Sequence, residues 1–162
     1  MTDTVVVALA DARATEALGA ALARAAPGPL QVHLEGDLGA GKTTLARGFL
    51  RALGHQGPVR SPTYTLLESY ELPGARVHHL DLYRLADPGE VEYLGLRDLL
   101  AGGHLLVEWP GRGAGWLPQP QLRVQLSPSG GGRLARIEAT DEAGRKVLAA
   151  LRKGGLVPPG QG

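Results

Sequence analysis

Apolar positions along the chain divide it into alternating strand-like and helix-like stretches. Val5 to Leu9 is a short β-branched run and predicts a strand. Ala14, Ala17, Leu18, Ala21, Leu22 and Ala25 recur at helical spacing, predicting a helix over Asp11 to Ala25. Asp11 or Thr15 can cap its start, and Pro27-Gly28-Pro29 ends it. Gln31 to Leu34 is a second strand-like run, Thr44 to Leu53 a second helix, and Gly54 to Pro58 a loop of breakers. Arg60 to Thr65 is polar, and Pro62 biases it towards extended backbone. Leu66 to Tyr70 and Arg76 to Leu82 flank Leu72-Pro73-Gly74-Ala75 and predict an antiparallel hairpin.

Asp87-Pro88-Gly89-Glu90 has the proline and acids of a helix start, predicting one or two short helices to Leu100, broken at Gly95. His104 to Trp109 is an apolar run suited to a buried strand, and Gly111 to Pro120 a loop. Leu122 to Leu126 and Arg133 to Ala139 alternate apolar and polar residues around Pro128-Ser129-Gly130-Gly131-Gly132, a second hairpin. Asp141 to Leu151 returns to helical spacing. The pattern predicts an α/β fold: a mostly parallel central sheet with antiparallel edge additions and flanking helices. It forms one domain over residues 1–153, followed by a disordered tail at 154–162.

Between the second strand and the second helix, Gly36 to Thr43 reads G-x-x-x-x-G-K-T, the P-loop pattern. In such a loop successive backbone N–H groups converge on phosphate oxygens. Lys42 reaches the β/γ-phosphates, and the Thr43 hydroxyl can ligate Mg²⁺. The following helix N-terminus adds positive partial charge where the phosphates sit. Glycines at Gly36, Gly39 and Gly41 permit close backbone approach. The fold implied is that of a P-loop nucleotide hydrolase.

A P-loop needs a strand-end acid for the metal or its waters. Asp81 and Glu108 both follow apolar strand residues, so one could coordinate Mg²⁺ with Thr43 while the other orients the attacking water. Periodicity leaves open which does which. Ser61, Pro62, Thr63, Tyr64 and Thr65 lie where P-loop proteins often carry a γ-phosphate sensor, and a polar lead-in to an edge strand fits them equally. Trp109 follows Glu108 and belongs either beside the nucleotide or in the core. His78 and His79 alternate faces of one strand and read as structural. Arg112 could meet phosphate or be solvated. Arg133 and Arg136 could serve a partner or the nucleotide.

Composition narrows the function. In 162 residues there is no cysteine, which excludes disulfides, thiolate metal sites and cysteine catalysis. No apolar run approaches a membrane span and no signal peptide opens the chain, so a soluble cytoplasmic protein is expected. A net charge of +1 makes no case for a nucleic-acid or membrane surface. The absence of asparagine removes the usual guanine-reading Asn-Lys-x-Asp motif, arguing against a typical GTPase. Scarce Asn, Cys and Met with 17 Lys and Arg, nearly all Arg, fit a thermophilic source or a GC-rich genome equally.

Taken together, GDLGAGKTT (Gly36–Thr44), SPTYTL (Ser61–Leu66), HLDLYRL (His79–Leu85), the Val91–Asp98 region and VEWP (Val107–Pro110) resemble the TsaE (YjeE) family of tRNA threonylcarbamoyladenosine biosynthesis. The resemblance spans roughly Asp11 to Arg136. It implies a Mg²⁺-dependent ATPase, feeble alone, that works with the partner proteins TsaD and TsaB and meets tRNA through that complex. It further implies that Asp37, Leu38, Gly39, Ala40, Gly41, Lys42, Thr43 and Thr44 cradle ATP, with Trp109 beside it; Arg133, after the glycine-rich turn, is counted with the nucleotide-binding residues on its position alone. Thr43 and Glu108 would hold Mg²⁺, Asp81 would act with Lys42 in catalysis, and Ser61 to Thr65 would be switch-like. Two alternatives stay open: a small-molecule kinase using Arg84, Arg97 and Arg112 in a lid, and a nucleotide-dependent adaptor that does not hydrolyse.

Overall fold

The computed structural model describes residues 3–96, 98 and 101–156. Strand β1 (Asp3–Leu9) leads into helix α1 (Ala12–Ala25). The cap is Asp11 rather than Thr15: its carboxylate accepts from the Ala14 N–H at 2.8 Å. Strand β2 (Gln31–Glu35) and helix α2 (Lys42–Ala52) bracket the P-loop. The first hairpin is β3 (Leu67–Glu71) and β4 (Arg76–Asp81), and the buried strand is β5 (Gly103–Glu108). The second hairpin is β6 (Leu122–Ser129) and β7 (Gly132–Ala139), followed by helix α3 (Glu142–Lys153).

Three predicted segments form differently. Pro88–Leu94 is a 3-10 helix, started by Asp87 accepting from the Gly89 N–H at 3.0 Å and stopped by left-handed Gly95. That segment is too short to profit from α-helical cooperativity. Pro110–Gly113, expected as loop, is a second 3-10 turn. The Ser61 to Thr65 segment curls instead of extending, because the Pro62 carbonyl accepts from the Leu66 N–H at 2.7 Å. Leu66 takes a positive φ of 67° at that corner. Of the expected tail, Leu156 packs against the core, while 157–162, like Arg97, lie outside the described residues.

Among the described residues seven strands join one sheet in the order β1-β7-β6-β2-β5-β4-β3. β6, β2, β5 and β4 run parallel; β3 pairs antiparallel with β4 at one edge, and at the other β7 pairs antiparallel with both β6 and β1, the antiparallel edge additions that the hydrophobic pattern predicts. Alternation splits β5 between two cores. Leu106 joins Val32, Leu34, Val124 and Ile137 under the helices, where Leu18, Leu45, Phe49 and Leu148 are fully buried. Leu105 and Val107 join Leu80, Leu82 and Val91 on the opposite face. Each such side chain contributes about 1.5–3 kcal/mol by leaving water. Helices α1 and α2 meet through glycine: a Cβ on Gly48 would stand 1.9 Å from the Glu16 carbonyl oxygen.

The register fixes what matters for chemistry. Leu34 of β2 pairs with Glu108 of β5, which pairs with Asp81 of β4. Both acids therefore stand beside the P-loop at the carboxyl ends of adjacent parallel strands, where open α/β sheets bind ligands.

Candidate nucleotide-binding site

From Gly36 to Gly41 the chain turns back on itself before α2. Gly36, Gly39 and Gly41 have φ of 147°, 77° and 109°, which side chains rarely adopt. A Cβ at Gly36 would also come within 2.7 Å of the Leu126 carbonyl oxygen. Gly41 is the N-cap of α2 and gives no side-chain cap, leaving that helix end as an anion cradle.

Arg133 locks the loop from behind. Its Nε donates to the Ala40 carbonyl at 3.0 Å and its Nη2 to the Gly39 carbonyl at 2.9 Å. The third nitrogen, Nη1, donates to the Gly132 carbonyl at 3.0 Å. The guanidinium thus grips the loop's carbonyls, and Arg136 lies exposed on the sheet's open face.

The Lys42 side chain is buried. Its ammonium donates to the Gly36 carbonyl and, at 3.1 Å, to the Asp37 carbonyl, and it stands 4.1 Å from the Trp109 ring centroid. Burial pulls its pKa below the ordinary lysine range, opposed by the charges of Glu108, Asp81 and Asp37. Trp109 is partly buried and has φ 58°, ψ 50°, an uncommon conformation for a bulky residue. Its ring faces Lys42 while packing against Tyr83 at 5.0 Å and against the smaller core.

Asp81 and Glu108 are both almost fully buried. The Thr43 hydroxyl bonds the two Glu108 oxygens at 3.1 and 3.0 Å. Asp81 accepts instead from the Ser61 hydroxyl, the Thr63 hydroxyl at 3.0 Å and the Tyr83 N–H at 2.9 Å. Tyr64 is exposed and joined to Arg84, its hydroxyl accepting at 3.3 Å and its ring 4.6 Å from the guanidinium carbon. A cavity of about 620 Å³ unites these groups, lined by Leu38 to Thr44, the Ser61–Tyr64 turn, both acids, Tyr83, Arg84 and Trp109. A smaller one, about 300 Å³, flanks the loop between α1's first turn and Gly131 to Arg133. Thr65 and Pro62 border a different groove, and Arg112 stacks over Tyr83 at 5.5 Å.

One contact departs from the sequence reading. His79, expected to be structural, is fully buried with its ring nitrogen Nε2 2.7 Å from Glu108 Oε2. Strand alternation does separate it from His78, which pairs with the Ser69 hydroxyl at 2.8 Å. The same alternation puts His79 on the face of Asp81, two residues on, and that signal was available in the sequence.

Known proteins resemble this chain in sequence and in fold. The family model described as "Threonylcarbamoyl adenosine biosynthesis protein TsaE" matches residues 9–136. The chain is similar to the "tRNA threonylcarbamoyladenosine biosynthesis protein TsaE" of Haemophilus influenzae, 45% identical over 123 residues, covering 75% of this chain and 78% of that protein. Its likeness to the protein of the same description from Bacillus subtilis is 40% over 121 residues, covering 74% and 73%. The crystal structure of Bacillus subtilis YdiB superposes with a TM-score of 0.83 at 27% identity, over 96% of this chain and 98% of that one. With the family model spanning most of the sequence, the chain belongs to the TsaE family of tRNA threonylcarbamoyladenosine biosynthesis proteins.

Proposed function

We propose that the chain is a Mg²⁺-dependent ATP-binding and ATP-hydrolysing subunit for tRNA N6-threonylcarbamoyladenosine formation, acting with TsaD- and TsaB-type proteins. One observation carries the nucleotide chemistry: Thr43, in the first turn of the P-loop helix, bonds the buried Glu108 carboxylate within the cavity that holds Lys42 and Asp81. A hydroxyl and a carboxylate are hard oxygen donors, the kind Mg²⁺ takes. Among the described residues no cluster of three or more His, Cys, Asp and Glu side chains forms a cage. That suits a cation that draws most of its ligands from phosphate and water.

When bound, Mg²⁺ neutralises charge building on the phosphates. Lys42 turns its ammonium from the Gly36 and Asp37 carbonyls to the β/γ-phosphate oxygens. The N-terminus of α2 and the loop N–H groups hold the remaining phosphate charge. Asp81 accepts from the attacking water and orients it, and its bonds to Ser61 and Thr63 couple that task to the neighbouring turn. The smaller cavity beside Arg133 has room for part of the nucleoside.

Partners supply the rest of the biology. A net charge of +1 gives little attraction for tRNA, so tRNA is met through the complex. Among the described residues no helix is long and apolar enough to cross a membrane; the cytoplasm is the proposed place of work. Reconstitution tests the reading. A mixture of TsaD- and TsaB-type proteins, ATP, Mg²⁺ and tRNA should sustain threonylcarbamoyladenosine formation only when this chain is added. Undiminished, sustained formation without it would contradict the assignment.

A further inference from the structure

We infer that His79 is the positioning residue for Glu108, fixing which carboxylate oxygen is turned towards the metal; this rests on the Mg²⁺ reading proposed above. His79 pairs with Leu106 across β4 and β5, and Asp81 with Glu108, so the imidazole reaches Glu108 diagonally on the face shared with α2. Thr43 cannot fix the carboxylate's orientation alone. Its hydroxyl lies 3.1 Å from one oxygen and 3.0 Å from the other, which leaves the two equivalent. His79 Nε2 approaches Oε2 alone, at 2.7 Å, and breaks that symmetry. Held there, Oε2 is engaged by the core while Oε1 is left for the cavity.

The other contacts of His79 point the same way. Among the described residues its Nδ1 is buried with no hydrogen-bond partner, so the ring's polar interaction is spent on Glu108. An apolar side chain would fill this site without stranding a polar atom. His104, by comparison, is tied into the fold, accepting the Leu30 N–H at 3.0 Å and packing edge-on against Phe49. Asp81 takes its hydrogen bonds from Ser61, Thr63 and Tyr83 and none from His79, so the effect is specific to Glu108.

The test follows binding, not turnover. MgCl₂ is titrated against a fixed concentration of a non-hydrolysable ATP analogue, and nucleotide binding is measured by calorimetry. Wild type is compared with His79→Leu, His79→Gln and His79→Asn, each also measured in EDTA. His79→Leu should raise the Mg²⁺ needed for half-maximal binding roughly 10- to 100-fold while leaving EDTA affinity unchanged. Gln, whose amide N–H reaches the position of Nε2, should recover most of the loss, and the shorter Asn should not. If His79→Leu does not fold, the Gln–Asn contrast decides alone. In a Glu108→Gln background the His79 substitutions should add no further shift. Equal Mg²⁺ dependence in all variants, Gln no better than Asn, or a shift that persists without Glu108 would overturn the inference while leaving the metal reading intact. A wild-type protein whose nucleotide affinity ignores Mg²⁺ would overturn both.

Discussion

Asp81 and Glu108 are register partners at the ends of adjacent parallel strands, yet different parts of the molecule hold their carboxylates. Glu108 is fixed by fully buried His79 and by Thr43 of α2. Asp81 is held largely by the turn that carries Ser61 and Thr63. Movement of that turn would disturb Asp81 and leave the bonds of Glu108 in place.

Substitution should separate the two acids. Glu108→Gln is expected to raise the Mg²⁺ required for nucleotide binding roughly 10-fold or more. Asp81→Asn should leave binding near wild type and slow turnover by about 10²- to 10⁴-fold. Mg²⁺ titrations of binding alongside single-turnover hydrolysis check this, and the opposite pattern would exchange the roles.

The turn should matter most when partners are present. Thr63→Ala removes one of Asp81's hydrogen bonds, and Tyr64→Ala removes the exposed ring under Arg84. Both should lower partner-stimulated hydrolysis more than basal hydrolysis. Equal losses in the two rates would make the segment purely catalytic.

Trp109 should report occupancy directly. Its ring faces the Lys42 ammonium, which must move to meet phosphate, so nucleotide with Mg²⁺ should change its fluorescence. Trp116, about half exposed, supplies a background signal and is replaced in a Trp116→Phe variant. A flat titration there, with binding verified by calorimetry, would contradict the placement of Trp109.

Acid should expose a cost carried by β2. Burial, aided by the charge of Arg123, lowers the His33 pKa from the ordinary histidine value of 6.5 to about 4. The unfolded chain therefore binds the proton first, and stability rises with pH across that window. The contribution is complete above about pH 6.5, fades as pH falls, and amounts to at most about 3 kcal/mol. His33→Leu should flatten the dependence of denaturant-unfolding stability between these limits. Parallel curves for variant and wild type would rule the effect out.

Much of this was legible beforehand, for local reasons. The P-loop, both hairpins and the start of α1 at Asp11 follow from spacing and turn chemistry within a few residues. Asp81 and Glu108 were found because each ends an apolar run beside a P-loop. What escaped depends on long-range pairing. Arg133 meets Gly39 and Ala40 only because the β6–β7 hairpin returns beside β2, which no local pattern encodes. His79 was closer to reach. Its shared face with Asp81 is a period-two relation, implied by the same alternation that separates it from His78.

ATP turnover with and without a TsaD–TsaB-type pair, for wild type and Lys42→Ala, tests the central claim most directly. Lys42 supplies the ammonium that would stabilise the transferring phosphoryl group, and its loss leaves that charge unmet in a buried site. The account predicts slow hydrolysis by the wild-type chain alone, faster hydrolysis with partners, and neither in a folded Lys42→Ala variant. Unchanged turnover in Lys42→Ala, or a wild-type rate indifferent to the partners, would contradict it.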